Sequence, residues 1–216
     1  MTTLVIGAHG HVGQHIVQQL ADAGETVYGG IRNAEQAAVI EKLGGQARMV
    51  NLMGTADELV PAMKDVDTVI FSAGSGGSTD DDMTLNIDLD GAIKAMQATE
   101  TAKIKRFIMV SAMGADERSF WDQTGIRPYY VAKHYADQWL QHRTDLDYTI
   151  IRPTTLTNDD PTGKITVDPG LDGSTSISRA DVAATIVAIV KHPLPQHILT
   201  IVNGDTPIAD AIKAQA

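Results

Sequence analysis

Residues 1–20 read MTTLVIGAHGHVGQHIVQQL. Leu4, Val5 and Ile6 form a short apolar run. Gly7, Gly10 and Gly13 break it into a turn, and Val12, Ile16, Val17 and Leu20 then fall on one face of a helix. Strand, glycine turn and helix in that order form the unit from which a doubly wound α/β sheet builds a cradle for a pyrophosphate. Glycine tolerates positive φ and admits close backbone approach, while the helix turns its first N–H groups toward the anion. The spacing is G-x-x-G-x-x-G, and an ordinary strand–turn–helix junction is the competing reading of the same residues.

The rest of the chain repeats the alternation. The first helix, over about His11–Ala23, is closed by Gly24 as its C-terminal cap. Strands are expected at Thr26–Ile31, Ala47–Val50, Thr68–Ser72, Arg106–Ser111 and Tyr148–Arg152. Helices are expected at Ala34–Leu43, Ala56–Met63, Met83–Ala102 and Tyr129–His142. Buried β-branched strands alternating with helices imply a Rossmann-type doubly wound parallel sheet with helices on both faces. The expectation is one domain over residues 1–216, in which about 153–216 form a small substrate-side appendage containing a helix, a strand at Ile198–Val202 and a last helical turn. Three irregular stretches, Ala73–Asp82, Ala112–Arg127 and Pro153–Ser176, each follow the carboxyl end of a strand, where open α/β sheets bind ligands.

Composition narrows the classes. The 216 residues carry 17 Lys and Arg against 27 Asp and Glu, a formal charge of −10, which argues against a general nucleic-acid binder. The absence of cysteine excludes disulfides, thiolate metal sites and cysteine nucleophiles. No apolar run is long enough to cross a bilayer and no leader pattern precedes the first strand, so a cytoplasmic protein off the membrane is expected. The partner expected is a small molecule, and the chain is read as a monomer or a homodimer.

Three sets of residues carry chemistry. The turn Gly7, His9, Gly10, His11, Val12 and Gly13 is the candidate pyrophosphate site. The H-x-H of His9 and His11 also occurs in metal hydrolases, but nothing later in the chain supplies the remaining ligands, and no metal is expected. Arg32 ends the second strand, where an NAD site normally places a carboxylate for the ribose hydroxyls. A guanidinium suits a 2′-phosphate instead, so NADP is favoured over NAD. Ser111 ends the fifth strand, and Tyr129 and Lys133 stand one helical turn apart. A lysine beside a phenol favours the phenolate and can donate to a ribose hydroxyl, and a serine hydroxyl can hold a substrate oxygen. The competing reading makes Tyr129 a packing aromatic and Lys133 a surface partner of Asp137. Phe120 and Trp121, with Tyr129, are candidate walls of an apolar pocket, with loop packing the alternative for the first two. The run from Ser75 to Asp82 reads as a loop with acidic residues before a helix rather than a phosphate or metal site.

Taken in order, GAHGHVG, the IR at the second strand's end, SAG, MVSAMGA, YYVAK, DYTIIRPTTLT and SISRADVAATIV resemble the atypical short-chain dehydrogenase/reductases, the NAD(P)H-binding group of NmrA-like and NAD-dependent epimerase/dehydratase-like proteins. The resemblance covers nearly the whole chain. It implies Gly7, Gly10 and Gly13 at the pyrophosphate, Arg32 at the 2′-phosphate, and Asn51 and Leu52 beside the adenine. Ala73 and Gly74 would line the adenine–ribose side, and Pro153 and Thr154 would lie at the nicotinamide amide. Ser111, Tyr129 and Lys133 would be catalytic. Ser178 and Asp181 would start a helix. The implied activity is NADP-dependent oxidoreduction of a small carbonyl, alcohol or similar group. The alternative is a non-catalytic NADP(H)-sensing regulatory protein, because some NmrA-like relatives keep the cofactor site and lose the tyrosine.

Overall fold

A computed structural model describes residues 1–76, 80–171 and 175–216. The chain runs β1 (Thr2–Ile6), α1 (His11–Asp22), β2 (Thr26–Ile31), α2 (Ala37–Lys42), β3 (Gln46–Met49), α3 (Ala56–Leu59), β4 (Thr68–Phe71) and α4 (Asp81–Met83). A π-helical segment, Thr84–Gly91, joins α4 to α5 (Ala92–Thr101). Then follow β5 (Arg106–Val110), α6 (Arg118–Trp121), α7 (Arg127–Arg143), β6 (Asp147–Pro153), β7 (Thr155–Thr157), β8 (Lys164–Val167), β9 (Ser176–Ser178), α8 (Arg179–Lys191), β10 (His197–Asn203), β11 (Thr206–Pro207) and α9 (Ile208–Lys213).

Nine strands form one sheet in the order β11-β8-β10-β6-β5-β4-β1-β2-β3. From β3 to β10 every pairing is parallel, as Val5 opposite Gly29 on one side and Ile70 on the other illustrates. This is the doubly wound order, with its switch point between β1 and β4. β8 joins β10 and β11 antiparallel, and β7 pairs with β9 in a separate two-stranded ribbon. The residues after Pro153 thus extend the main sheet as well as supplying the ribbon. β7, β8 and the single turn α6 lie in stretches expected to be irregular.

Both faces of the sheet are covered, and the central strands β1, β4, β5 and β6 are correspondingly buried along nearly their whole length. Val5, Ile70, Ile108 and Ile151 pack with α1, α8 and α9 on one face. Leu4, Val69, Phe71, Phe107 and Ile150 pack with α3, α5 and α7 on the other. The α1 stripe Val12, Ile16, Val17 and Leu20 is buried as its spacing requires, and Gly24, at φ +78°, follows the helix end. Ser178 caps α8 by accepting from the Asp181 amide at 3.0 Å. Asp181 in turn holds the amides of Thr162 and Gly163, at 2.8 and 2.9 Å, and so ties the loop before β8 to the helix. No helix among the described residues is long and apolar enough to cross a membrane.

Candidate active site

The glycine turn closes the carboxyl end of β1, and its three glycines do different things. Gly7 takes φ +88°, and a Cβ there would lie 2.6 Å from the Ala73 amide. A Cβ on Gly13 would lie 2.2 Å from the Gly7 carbonyl, so this glycine lets α1 pack against the turn. A Cβ on Gly10 would meet only the Gly7 carbonyl oxygen, at 3.2 Å, and Gly10 itself is exposed. Gly10 also caps α1 with no side-chain hydrogen bond, leaving the first-turn N–H groups to an external acceptor. The position a side chain would fill, with uncapped amides beside it, fits a dinucleotide pyrophosphate.

Around this turn the other expected cofactor residues take varied places. His9 and His11 are exposed, and Val12 is core, so only its backbone faces the turn. Among the described residues no group of three or more metal-ligating side chains is placed to hold an ion. Arg32 is exposed at the end of β2, with no hydrogen bond or ion pair to its guanidinium among the described residues. Asn51 accepts from the Met53 amide at 3.1 Å, and Leu52 is buried beside Gly91. At the end of β6, Pro153 accepts from the Met113 amide and the Thr154 amide donates to Ile201. Those backbone groups already have partners, and the Thr154 hydroxyl is buried with none among the described residues. The acidic run before α4 is described only in part, because Gly77, Ser78 and Thr79 lie outside the described residues; Asp81 and Asp82 occupy the first turn of α4.

Tyr129 and Lys133 share a face of α7, with the Lys133 ammonium 5.5 Å from the phenol ring centre. Lys133 is buried and pairs with Asp88, Nζ to Oδ1 at 3.0 Å, and not with Asp137. Reading Lys133 as a surface partner of Asp137 is therefore corrected: the loss of water around an interior ammonium demands a buried counter-charge, and Asp88 supplies it. The second oxygen of Asp88 accepts the Ser75 amide at 2.9 Å, and a Cβ on Gly74 would lie 3.0 Å from Asp88 Oδ1. Contacts therefore run without a break from Gly7 through the loop after β4 to Asp88, Lys133 and Tyr129. Sequence reasoning missed Asp88.

A second network lies deeper. Asp137, fully buried, takes Arg152 Nε at 3.0 Å and Nη2 at 2.9 Å, and Arg152 Nη1 reaches Asp116 at 2.5 Å. Burial pushes the Asp137 carboxyl up, opposed first by Arg152 and then by the Ser111 hydroxyl. Ser111 is buried beside Asp137, although neither its Oγ nor Asp137 Oδ1 completes a hydrogen bond among the described residues. Trp121 is wholly buried with its indole N–H on the Gly114 carbonyl, so it packs the loop rather than walling a pocket. Phe120 sits edge-on to Tyr130. A cavity of about 410 Å³ opens beside Arg152, rimmed by Asp116, Glu117 and Asp168; Tyr129 and Lys133 do not line it.

Burial and charge act in opposite directions on Tyr129. Burial pushes the Tyr129 phenol above its usual range; Lys133 opposes this, while Asp88 and then Asp137 reinforce it. For Lys133, burial favours the neutral amine, but Asp88, with Tyr129 and Asp137, more than offsets it and the net shift is upward. The lysine is firmly charged and its field favours the phenolate, but burial outweighs that field and the Asp88 carboxylate offsets part of it.

The family model for NAD(P)H-binding proteins matches residues 7–193, from the first glycine of the turn to the end of α8. The chain belongs to the NAD(P)H-binding family. It is 44% identical over 215 residues to the "Uncharacterized sugar epimerase YhfK" of Bacillus subtilis, covering 99% of each chain. A solved Bacillus halodurans structure assigned to the NAD-dependent epimerase/dehydratases superposes with a TM-score of 0.91 at 39% identity, over 99% of both chains. The oxidoreductase ylbE of Lactococcus lactis superposes at 0.89 with 32% identity, over 99% of this chain and 96% of that one. Membership in the NAD(P)H-binding family accords with the atypical short-chain dehydrogenase/reductase resemblance and with the Rossmann-like architecture.

Proposed function

We propose that this chain is an NADP-dependent oxidoreductase acting on a small carbonyl, alcohol or comparable reducible group. The observation that carries the reading is the unbroken line of contacts from Gly7 through Ala73, Ser75, Asp88 and Lys133 to Tyr129. It joins the dinucleotide cradle to a proton-bearing group. When bound, the nicotinamide supplies or accepts the hydride. The chain's own residues do the rest. The turn at Gly10 and the first amides of α1 hold the pyrophosphate, Arg32 meets the 2′-phosphate, and the Thr154 hydroxyl is free for the carboxamide. Lys133 donates to ribose and Tyr129 gives or takes the proton at the substrate oxygen.

Ser111, whose buried hydroxyl has no hydrogen-bond partner among the described residues, orients the substrate oxygen. A small substrate is favoured over a nucleotide sugar, because the described residues after Ser176 are used for α8, β10, β11 and α9 against the sheet. The test is NADPH oxidation by the purified protein with a panel of quinones, flavins and small carbonyls, run beside Tyr129→Phe and Ser111→Ala. Turnover that Tyr129→Phe abolishes supports the reading. Tight NADPH binding with no turnover on any acceptor supports a cofactor-sensing regulator instead.

A further inference from the structure

The cavity beside Arg152 takes its lining from the loop after β5, from β6 and β10, and from the loop after β8. Its volume of about 410 Å³ falls within the range of small-molecule sites. At its floor stands an arginine with more carboxylate than its charge requires. Arg152 is only 5% exposed, and the fully buried Asp137 already accepts from its Nε and Nη2 at 3.0 and 2.9 Å. That contact alone balances the interior charge. Asp116 adds a second carboxylate on Nη1 at 2.5 Å, yet its own side chain is 52% exposed. One anion is locked in the interior, and the other is in contact with water, where it exchanges at little cost. These contacts leave one N–H on each of Nη1 and Nη2 without an acceptor among the described residues.

At the rim the charge reverses. Glu117 is exposed, with no partner for its carboxylate among the described residues. Asp168 spends Oδ1 on the Thr200 amide, at 2.8 Å. Arg152 is the one cation among the described lining residues. Exposed Leu171 and half-buried Ile198 supply apolar surface.

We propose that this cavity binds a zwitterion of α-amino acid type, with its carboxylate replacing Asp116 on Arg152 and its ammonium meeting Glu117, Asp168 and the released Asp116. The unspent N–H groups on Nη1 and Nη2 suit a two-oxygen acceptor. A simple acid would satisfy them but would bring its charge among the rim carboxylates. A simple amine would satisfy the rim and leave the guanidinium donors unused. A ligand carrying both charges on adjacent carbons, with an apolar side chain for Leu171 and Ile198, answers every group. None of the lining residues belongs to the glycine turn or to the Tyr129–Lys133 pair, so the site is independent of the redox reading.

Calorimetric titration of the full chain with three probes of one carbon skeleton tests this: leucine, 4-methylpentanoate, which lacks the ammonium, and 3-methylbutylamine, which lacks the carboxylate. Leucine is expected to bind about tenfold more tightly than either, the order of one charge-assisted hydrogen bond. In Glu117→Gln leucine should weaken severalfold. In Asp116→Asn, which removes the competing carboxylate, 4-methylpentanoate should tighten severalfold. Both positions are exposed, and Asp137 stays on Arg152 in either variant. The wild-type titration decides by itself if a variant fails to fold. An amine that binds as tightly as leucine would make this a site for organic cations and overturn the proposal. An acid that equals leucine would remove the rim from it and overturn it as well. No heat from any of the three at millimolar concentration would show that the cavity takes no such ligand, and would equally overturn it.

Discussion

Tyr129 and Lys133 are only as informative as the carboxylates around them. Replacing Tyr129 by Phe removes the hydroxyl but keeps the ring that packs edge-on to Tyr130. Turnover should fall by about 10²–10⁴-fold, the usual worth of a positioned proton donor, with NADPH affinity nearly unchanged. A drop in affinity matching the drop in rate would make Tyr129 a packing residue. The Asp137–Arg152 pair answers to stability instead. Arg152→Met strands a buried carboxylate and should cost about 3–5 kcal/mol in urea unfolding, most of it recovered in Arg152→Met/Asp137→Leu. A single variant as stable as the wild type would show that water reaches Asp137.

At the scale of elements, the glycine turn separates packing from binding. Gly13→Ala sets a methyl 2.2 Å from the Gly7 carbonyl and 2.8 Å from Ala8 Cα, and should lower stability by about 1–3 kcal/mol or more as an overpacked contact. Gly10→Ala meets only a carbonyl at 3.2 Å. It should melt within a few degrees of the wild type while NADPH binding weakens severalfold; unaltered binding would remove the turn from the cofactor site. The strands and α1 were legible because parallel strands buried on both faces must be apolar along their length, and because α1 has a single core face. The π-segment was not. Its cause is tertiary, although a signal existed: Thr84, Asp88 and Ala92 are spaced by four and all buried, so Asp88 lies on a core stripe rather than a solvent face. β7, β8, β9 and β11 escaped because strands of two to four residues at a sheet edge or in a ribbon carry too few positions to show a period.

For the whole molecule, the buried pair shapes the response to pH. Lys133 and Tyr129 both hold their protons more tightly folded than unfolded. Between the ordinary values, about 10 for both residue types, and the raised folded ones, the native state therefore binds more protons, and stability falls as pH rises. The urea midpoint should decline above about pH 10, and less steeply in Tyr129→Phe; equal slopes would mean the tyrosine ionises as freely folded as unfolded. The doubly wound architecture and the place of the cofactor turn were readable from the alternation of elements. The joining of that turn to Lys133 was not, since it depends on Asp88 and Ser75 meeting across three elements far apart in sequence.

The proposal that the dinucleotide cradle prefers a 2′-phosphate rests on Arg32, whose guanidinium at the end of β2 has no partner among the described residues. Its most direct test is the melting temperature of the purified chain with NADPH or NADH at equal concentration. A ligand at 100 times its Kd adds about 2.7 kcal/mol of stability, so a difference in affinity appears as a difference in melting temperature. The account predicts a clearly larger rise with NADPH, a preference lost in Arg32→Ala. An equal or larger rise with NADH would contradict it.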